Sequence, residues 1–494
     1  MAQNRADRQW ATLDKDLNRI SQVEYAAQYV SRPFIGMSVA LAFLILTGLV
    51  AFLLVGQRPD SFVVIAAAIF GAYMALNIGA NDVANNMGPA VGANALTMGG
   101  AIVIAALCES AGALLAGGDV VGTISKGIID PASLADPNVF VWAMMAALVS
   151  SALWVNLATI IGAPVSTTHS VVGGVLGAGA TAAGLSAVDW NTMQAIAASW
   201  VISPLMGGVI AAATLAFIKV YVIYQDDKIA AARRWVPVLI GIMAGAFTTY
   251  LLLKGLKAIL TVSPLASLAL GIMVGALSYA VAAPLIRMQS EGMENRNKSL
   301  KSLFSFPLVL SAGLLSFAHG ANDVANAVGP LAAIANVVQE GHTTMDMQEI
   351  PTWVMVVGAL GISFGLMLFG PKLIRMVGSQ ITKLNPMRAY CVALSAAITV
   401  IIASWLGLPV SSTHIAIGGV FGVGFFREWF LERRARQFAQ QSGRNKVIAP
   451  EERRRRKLVR RSHFLTIVAA WLITVPASAL LSSGVFLVLR ALAI

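Results

Sequence analysis

NIGANDVANNMGPAVGAN occupies residues 77–94, and HGANDVANAVGPLA occupies residues 319–332. Both contain the heptad GANDVAN, at 79–85 and again at 320–326, within a chain that is otherwise strongly apolar. Carboxylates and carboxamides in an apolar chain are costly unless they have partners, a wet cavity or a ligand. Because the heptad occurs twice, an incidental polar turn does not explain it, and a duplicated polar function does.

The composition is that of a membrane protein. Of the 494 residues, 57% are hydrophobic and 12% are charged, with a mean hydropathy of +0.75. Soluble domains carry about 25% charged residues, and a helix needs roughly 20 apolar residues to cross a bilayer. The apolar stretches lie at about 34–55, 62–78, 98–117, 138–162, 168–184, 193–223, 236–255, 265–287, 303–318, 351–370, 388–407, 415–426 and 464–492. The sequence predicts an all-α polytopic membrane protein with about 12–13 membrane segments, some of them broken helices or re-entrant hairpins.

The charge distribution predicts an orientation. Lys and Arg concentrate at 1–33, 224–236, 287–302, 371–388 and 427–461. The loops on the opposite side are acidic, with Asp119, Asp130 and Asp136 in one and Glu340, Asp346 and Glu349 in the other. The positive-inside rule places the N-terminus and the basic loops in the cytoplasm of a multi-pass protein of the cell (inner) membrane. The net charge of +12 then requires no nucleic-acid partner.

Three elements recur in the same order in both halves. Besides GANDVAN, GAPVSTTHSVVGGVLG at 162–177 matches GLPVSSTHIAIGGVFG at 407–422, and VGTISKGI at 121–128 is echoed by GSQITKL at 378–384. The charge rule makes the chain enter the two copies from opposite sides of the membrane. An inverted repeat with interrupted helices at matching places is typical of a secondary transporter with a midplane site.

The domain division follows from these repeats. Its parts are a cytoplasmic N-terminal arm at 1–33, an additional first span at 34–61, an N-terminal repeat at 62–223, connecting spans and loops at 224–302, and an inverted C-terminal repeat at 303–494 with a basic cytoplasmic loop at 427–461.

The GANDVAN copies have the ligand types of a cation site. Gly79 and Gly320 are expected to break their helices, with Pro89 and Pro330 on the other side of each motif. Freed carbonyls beside a carboxylate and carboxamides are hard oxygen ligands that suit Na⁺, and the aspartates can alternatively take a proton. The predicted cation-coupling residues are Asn81, Asp82, Asn85, Asn322, Asp323, Asn326 and the lone intramembrane acid Glu109. Helix capping and packing by the same amides is the alternative, notably for Asn85 and Asn326.

PVSTTH and PVSSTH have the features of an anion site. Pro164 and Pro409 disfavour continuation of the preceding helix, and Ser166 and Ser411 are natural N-caps for the next. Free N–H groups, the positive end of the helix dipole and adjacent hydroxyls together favour an oxyanion. The predicted anion-binding residues are Ser166, Thr167, Thr168, Ser411, Ser412 and Thr413. The alternative is hydrogen bonding of these hydroxyls within their own helices.

Five further residues are weaker candidates. His169 and His414 follow the two hydroxyl clusters and are either proton relays or neutral histidines packed in the bundle. Lys126 and Lys383 either attract anions near the entrances or extend to the interface. His319 has no repeated counterpart, since Ile78 stands in its place, and it receives less weight.

With these motifs, residues 62–494 resemble the inorganic phosphate transporter (PiT) family of cation-coupled phosphate symporters. The resemblance implies symport of inorganic phosphate with Na⁺ or H⁺, or carriage of a neutral metal–phosphate complex as in bacterial members. It also implies cation sites at Asn81, Asp82, Asn322 and Asp323, with Na⁺ at the Asp82 and Asp323 sites if coupling is to sodium. The hydroxyls of both PVS motifs would hold the anion. This chain departs from the pattern in its N-terminal arm and first span, in Ser412 opposite Thr167, and in a short central loop at 287–302.

Two alternatives of function remain open at this point. A sulfate or other tetrahedral oxyanion permease of the same fold would use the same site. An intramembrane hydrolase is disfavoured, because no G-x-S-x-G or H-E-x-x-H pattern is present and Ser166 and His169 are only three residues apart. We expect no enzyme activity, no cofactor beyond the coupling ion, a lipid bilayer and phosphate as partners, and a homodimer as the assembly.

Overall fold

The computed structural model describes residues 34–56, 61–129, 136–161, 165–256, 260–340, 350–380, 385–442 and 461–493. Several sequence expectations lie outside these residues: the arm at 1–33, Asp130, Pro164, Asp346, Glu349, Lys383 and residues 443–460 of the basic loop. Within the described residues the chain is helical apart from turns and one isolated bridge between Ile129 and Val188.

The helices are as follows: α1 Phe34–Val55, α2 Ser61–Gly92, α3 Met98–Ala116, α4 Gly118–Gly122, α5 Pro137–Ile161, α6 Thr167–Ala183, α7 Trp190–Ile218, α8 Lys228–Tyr250, α9 Pro264–Gln289, α10 Asn297–Leu303, α11 Ser305–Glu340, α12 Thr352–Gln380, α13 Pro386–Trp405, α14 Ser412–Ser442 and α15 Arg461–Ala493. Single π-helical turns extend α7 and α8.

The predicted all-α membrane fold is confirmed. In the described part of the chain, ten helices are long and apolar enough to span a membrane, and the bent pair α10–α11 makes an eleventh. The two remaining apolar stretches form α6 and the first half of α14, which start at the PVS motifs. All thirteen apolar stretches are therefore helical.

The predicted helix breaks at Gly79 and Gly320 are wrong. α2 continues through Gly79 as far as Gly92, and α11 continues through Gly320 as far as Glu340. A Cβ on Gly79 would lie 1.9 Å from the carbonyl oxygen of Ile362, and one on Gly320 would lie 2.1 Å from that of Glu109. These glycines therefore permit close helix packing instead of ending a helix.

Pro89 and Pro330 lie inside the same two helices. A proline in a helix interior cannot donate to the carbonyl four residues earlier. The carbonyls that lose this bond belong to Asn85 and Asn326. Backbone oxygens are therefore freed near each motif, as expected, but by the prolines and not by a helix break at the glycines. Membrane helices tolerate such prolines when neighbouring groups satisfy the freed carbonyl.

The expected helix interruptions occur at the PVS motifs. The described chain is non-helical at Val165 and Ser166 before α6, and at 408–411 before α14. Ser166 is the N-cap of α6, because its Oγ accepts a hydrogen bond from the backbone N–H of His169 at 3.1 Å. Ser411 Oγ accepts in the same way from the N–H of His414 at 3.4 Å.

Close glycine contacts pair four helices of the N-terminal half with helices of the C-terminal half. α2 packs on α12 where Cβ atoms on Gly79 and Gly365 would strike carbonyls of the partner helix, and α3 packs on α11 in the same manner through Gly112 and Gly320. α6 packs on α15 through Gly177, and α14 packs on α7 through Gly422. Such exchanged pairs are what a two-fold relation between the halves produces.

Ser110 of α3 and Ser363 of α12 lie where this two-fold relation would have its axis. Their hydroxyl oxygens are 2.6 Å apart. They begin the matching patterns SAGALLAG at 110–117 and SFGLMLFG at 363–370, a further repeat that our sequence comparison missed. The contacts agree with a duplicated architecture, whereas its inverted orientation in the membrane stays a prediction.

Candidate functional site

α2 and α11 bring the two repeated aspartates into one buried cluster. The Nε2 atom of His319 lies 2.9 Å from Asp323 Oδ2 and 3.7 Å from Asp82 Oδ2, and its Nδ1 atom lies 3.4 Å from Glu109 Oε1. All four side chains are at most 1% exposed. His319, which received less weight from the sequence because it is not repeated, lies at the centre of the cluster.

Glu109 reaches the cluster from α3. Asn86 Nδ2 donates to Glu109 Oε1 at 2.9 Å, while Glu109 Oε2 is buried without a hydrogen-bond partner among the described residues. The close approach at Gly320 explains the placement, since that glycine packs against the backbone of Glu109. Three carboxylates therefore converge on one imidazole, which lies within 4 Å of all three and would pair with them when protonated.

The first turns of α6 and α14 point their hydroxyls at the aspartates. Thr167 Oγ1 donates to Asp82 Oδ2 at 3.1 Å, and Thr413 Oγ1 donates to Asp82 Oδ1 at 3.1 Å. Ser412 Oγ donates to Asp323 Oδ2 at 3.3 Å. The residues predicted for the anion and those predicted for the cation therefore form one hydrogen-bonded network.

The motif asparagines connect the two halves crosswise. Asn85 Nδ2 donates to Thr413 Oγ1 at 2.7 Å, and Asn326 Nδ2 donates to Thr168 Oγ1 at 3.1 Å. Thr168 Oγ1 donates in turn to the carbonyl of Val410 at 3.0 Å. Each asparagine thus fixes a hydroxyl that belongs to the other repeat.

Asn81 and Asn322 have different surroundings. Asn81 Nδ2 donates to Asp82 Oδ1 at 3.2 Å. Asn322 holds the loop before α14: its Nδ2 donates to Ser404 Oγ and to the carbonyl of Leu408, each at 3.1 Å, and its Oδ1 accepts from the N–H of Val410. These bonds favour a positioning role for Asn322, whose predicted role as a cation ligand is untested.

His169 and His414 lie against each other behind the hydroxyl turns. Their ring centroids are 4.6 Å apart in an edge-on arrangement, and the His169 ring is 3.9 Å from that of Trp200. Trp200 Nε1 donates to the carbonyl of Pro409 and so braces the loop before α14. The paired rings link the two half-sites, and their role as proton relays stays a prediction.

The cluster has the spacing of a cation site. One ligand atom each from Asp82, His319 and Asp323 lie within 4.8 Å of one another. A hard cation such as Ca²⁺ binds oxygens at roughly 2.3–2.6 Å, so two facing oxygens at this separation can share one ion. Asp323 Oδ1 and Asn326 Oδ1 are buried without hydrogen-bond partners among the described residues, and an additional oxygen-seeking ligand would satisfy them.

Sequence reasoning missed three residues of this site, Asn86, Ser404 and Trp200, and gave less weight to a fourth, His319. Asn86 directly follows the repeated heptad, and the repeat has Ala327 there, so comparison of the copies gave it no weight. Exposed Lys126 has no contact that ties it to the cluster, and its predicted role is untested.

Comparison with known proteins agrees with the geometry. Residues 78–482 match the profile of the phosphate transporter family. Two relatives bear the name "Putative phosphate permease": one from Helicobacter pylori strain J99 is 44% identical, over 96% of this chain and 98% of its own, and one from Haemophilus influenzae is 33% identical, over 88% and 98%.

A solved structure also matches. It is described as "The sodium-dependent phosphate transporter", and it aligns with a TM-score of 0.77 and 34% sequence identity over 88% of this chain and all of the other. These relatives are transporters and not enzymes, which excludes the hydrolase alternative. The duplicated motifs, the buried cluster and the family match together identify this multi-pass membrane protein as a member of the phosphate transporter family.

Proposed function

We propose that this protein imports inorganic phosphate across the cell membrane by symport with Na⁺. The cation is held at Asp82 and Asp323, and the anion is held at the N-terminal turns of α6 and α14. The observation that carries the proposal is the bonding of Thr167, Thr413 and Ser412 to the two aspartates. Because donors for the anion are bonded to acceptors for the cation, neither ligand can bind without affecting the other.

This network implies an order of binding. With three buried carboxylates around the site, phosphate is repelled, and its hydroxyl donors are engaged by Asp82 and Asp323. A bound cation offsets part of the carboxylate charge and takes over the oxygens that the hydroxyls now serve. Thr167, Thr413 and Ser412 can then rotate toward phosphate, beside the first N–H groups of α6 and α14. The cation therefore binds before the anion.

Sodium is favoured over the proton by two considerations. The Asp82 carboxylate and the hydroxyls of Thr167 and Thr413 beside it are oxygen ligands of the kind that hard cations prefer, and the similar solved structure is described as sodium-dependent. A proton on the His319 cluster would support H⁺ coupling in the same geometry. Transport of a metal–phosphate complex is a separate variant, in which uptake would require a divalent cation.

The conformational cycle follows from the paired helices. We infer that the repeats at 62–223 and 303–494 are inverted and that exchange between their two packings exposes the site alternately to each side. The cytoplasmic location of the basic loops, the division of the chain into these parts and a homodimeric assembly belong to the same proposal.

Uptake of radiolabelled phosphate into proteoliposomes tests the function. Na⁺ and H⁺ gradients are imposed separately, unlabelled sulfate is added as a competitor, and a chelator or Mg²⁺ is added in parallel. The proposal expects uptake that the Na⁺ gradient drives and that sulfate and chelator leave unchanged. Sulfate uptake in place of phosphate uptake would retain the fold and overturn the substrate, and uptake driven by H⁺ alone would overturn the coupling ion.

A further inference from the structure

A second basic site lies away from the buried cluster. A cavity of about 160 Å³ is bounded by the end of α7, the start of α13 and the middle of α14, and three cationic side chains line it: Lys219, Arg388 and Arg427. Each is in or beside a stretch that the positive-inside rule assigns to the cytoplasmic face. Ser412, in the first turn of α14, belongs to the buried cluster. Arg427 follows it in the same helix by fifteen residues, which corresponds to about 22 Å along the helix axis.

The side chains of this cavity are held in place. Arg388 Nε donates to Asn385 Oδ1 at 3.1 Å, and the same oxygen caps α13 by accepting from the N–H of Arg388. Lys219 is only 7% exposed, and its Nζ lies 4.2 Å from the centroid of the Phe430 ring and 5.2 Å from that of Phe426. Lys219 and Arg388 are therefore held in defined positions at the cavity.

The arginines have no carboxylate partner in the described part of the chain. No ion pair joins Arg388 or Arg427 to an acidic side chain there, and both side chains are partly buried. Like charges in a partly desolvated cavity repel one another unless an anion lies between them. The N-terminus of the 20-residue helix α13, with Pro386 in its first turn, adds positive potential at the same place.

The chemistry that suits this arrangement is a phosphate group. Guanidinium groups bind phosphate oxygens in a bidentate manner, and an ammonium group adds a point charge. The cavity volume is several times the roughly 30 Å³ that one water molecule occupies in the liquid, so a phosphate group and some of its water fit.

We propose that Lys219, Arg388 and Arg427 bind a phosphate group at the cytoplasmic face, at a site separate from the transport site. Two sources have this chemistry: inorganic phosphate delivered to the cytoplasm, and the headgroup of an anionic phospholipid of the inner leaflet. The first source rests on the proposed function, and the second does not.

The test compares Arg388→Gln/Arg427→Gln with a control of equal charge change, Lys298→Gln/Lys301→Gln. The control lysines are exposed on α10, on the same predicted face. Binding of radiolabelled inorganic phosphate to the full-length protein in detergent is measured by equilibrium dialysis. Binding of phosphatidylglycerol is measured by native mass spectrometry.

We expect the arginine variant to lose at least tenfold in affinity for one of the two probes, while the control keeps wild-type affinity for both. The probe that is lost identifies the source. Equal binding of both probes by wild type, arginine variant and control would overturn the proposal, as would absence of binding to the wild type.

A single substitution, Arg427→Gln, tests the same site if the double arginine variant does not fold. Arg427→Gln removes a side chain without a hydrogen bond or ion pair in the described chain, so folding is expected to persist, and a several-fold loss for the same probe is expected. The difference between variant and control is independent of the central site. Loss of phosphate uptake in the transport assay therefore leaves this proposal standing, and the reverse also holds.

Discussion

Asp82 and Asp323 hold the same position in the two copies of GANDVAN, yet their surroundings differ. Asp82 accepts hydrogen bonds from Thr167 and Thr413, one from each half. Asp323 accepts one from Ser412 and lies 2.9 Å from the imidazole of His319. Both aspartates therefore have hydroxyl donors from the repeated motifs, and the unrepeated His319 lies closer to Asp323 than to Asp82, at 2.9 Å against 3.7 Å.

The unrepeated residues also contact each other. His319 has Ile78 as its counterpart, and the packing of α3 on α11 and of α12 on α2 makes Ile362 the counterpart of Glu109. The buried acid Glu109 and the buried base His319 thus have no counterpart in the other repeat, whereas the aspartates and hydroxyls around them do. We infer that the Asp82 side is the better cation position, because two hydroxyl groups contact Asp82, whereas His319 lies closer to Asp323 and, when protonated, competes with a cation there.

The largest expected effect is at the aspartates themselves. We expect Asp82→Asn and Asp323→Asn each to abolish Na⁺-coupled phosphate uptake in proteoliposomes, while both variants insert and purify as the wild type does. A charged group with its hydrogen bonds contributes about 1.5–3 kcal/mol per bond, and each aspartate has more than one polar contact. Normal accumulation of phosphate by either variant would remove that aspartate from the cation site.

Replacement of His319 probes the asymmetry directly. We expect His319→Gln to weaken phosphate binding by roughly 10- to 100-fold, since removal of a charged partner from a buried group costs about 1.5–3 kcal/mol. The half-saturating Na⁺ concentration should fall, because the three carboxylates lose the group that competes with the cation. Both quantities come from equilibrium binding at fixed pH.

A second substitution supplies the control for this prediction. Glu109→Gln in the His319→Gln background removes one negative charge and should recover part of the phosphate affinity. A loss of affinity that Glu109→Gln does not reduce would mean that His319 acts through packing, and the electrostatic account of the asymmetry would then be wrong.

The glycines test whether the halves pack alike. Gly79→Ala and Gly320→Ala each place a Cβ about 2 Å from a backbone carbonyl oxygen, and overpacking of this kind typically costs about 1–3 kcal/mol. We expect both variants to unfold at lower temperature in detergent, by similar amounts. Gly484→Ala in α15 is the matched control, because open space surrounds it. A stable Gly320→Ala protein would contradict the close α3–α11 contact.

Sequence alone predicted the helical membrane fold, the thirteen apolar segments and the repeated residues that meet in the buried cluster. These follow from composition and from exact duplication, which single out Asp82, Asp323 and the PVS hydroxyls without any structure. The caps at Ser166 and Ser411 follow from local chemistry, since serine is a preferred N-cap residue and each one follows a helix-breaking proline.

Helix continuity and the unrepeated residues could not be predicted in the same way. A glycine next to a carboxylate resembles a helix break, and only the neighbouring backbone at Ile362 or Glu109 shows that it is a packing contact. Comparison of the repeats also discounted His319, because that method gives no weight to a residue present in one copy. Its importance depends on three carboxylates from three helices, which no local pattern reveals.

The PVS threonines should differ in effect. Both accept a hydrogen bond from an asparagine of the other repeat, but Thr413 donates to the Asp82 carboxylate, whereas Thr168 donates to the backbone carbonyl of Val410. One hydrogen bond contributes about 0.5–1.5 kcal/mol, so we expect Thr413→Val to raise the KM for phosphate about 5- to 10-fold and Thr168→Val about 2- to 3-fold. Thr413→Ser, which keeps the hydroxyl, is the control. Unchanged kinetics in both valine variants would contradict the role of these turns in anion binding.

The smallest effect is expected at the contact between Ser110 and Ser363, where the two halves meet. A hydroxyl pair between membrane helices contributes about 0.6 kcal/mol on average, and Ser363 retains a second bond to the carbonyl of Ala106. A double-mutant cycle of Ser110→Ala and Ser363→Ala, read from thermal unfolding, should therefore give a small coupling, and Ser363→Ala should destabilise slightly more than Ser110→Ala because it also removes the bond to Ala106. The KM for phosphate shows whether this contact affects transport or only holds the two halves together. Because the axis is where the halves change packing least, the alanine pair should leave the KM for phosphate unchanged, and a large change in KM would move the axis away from these serines.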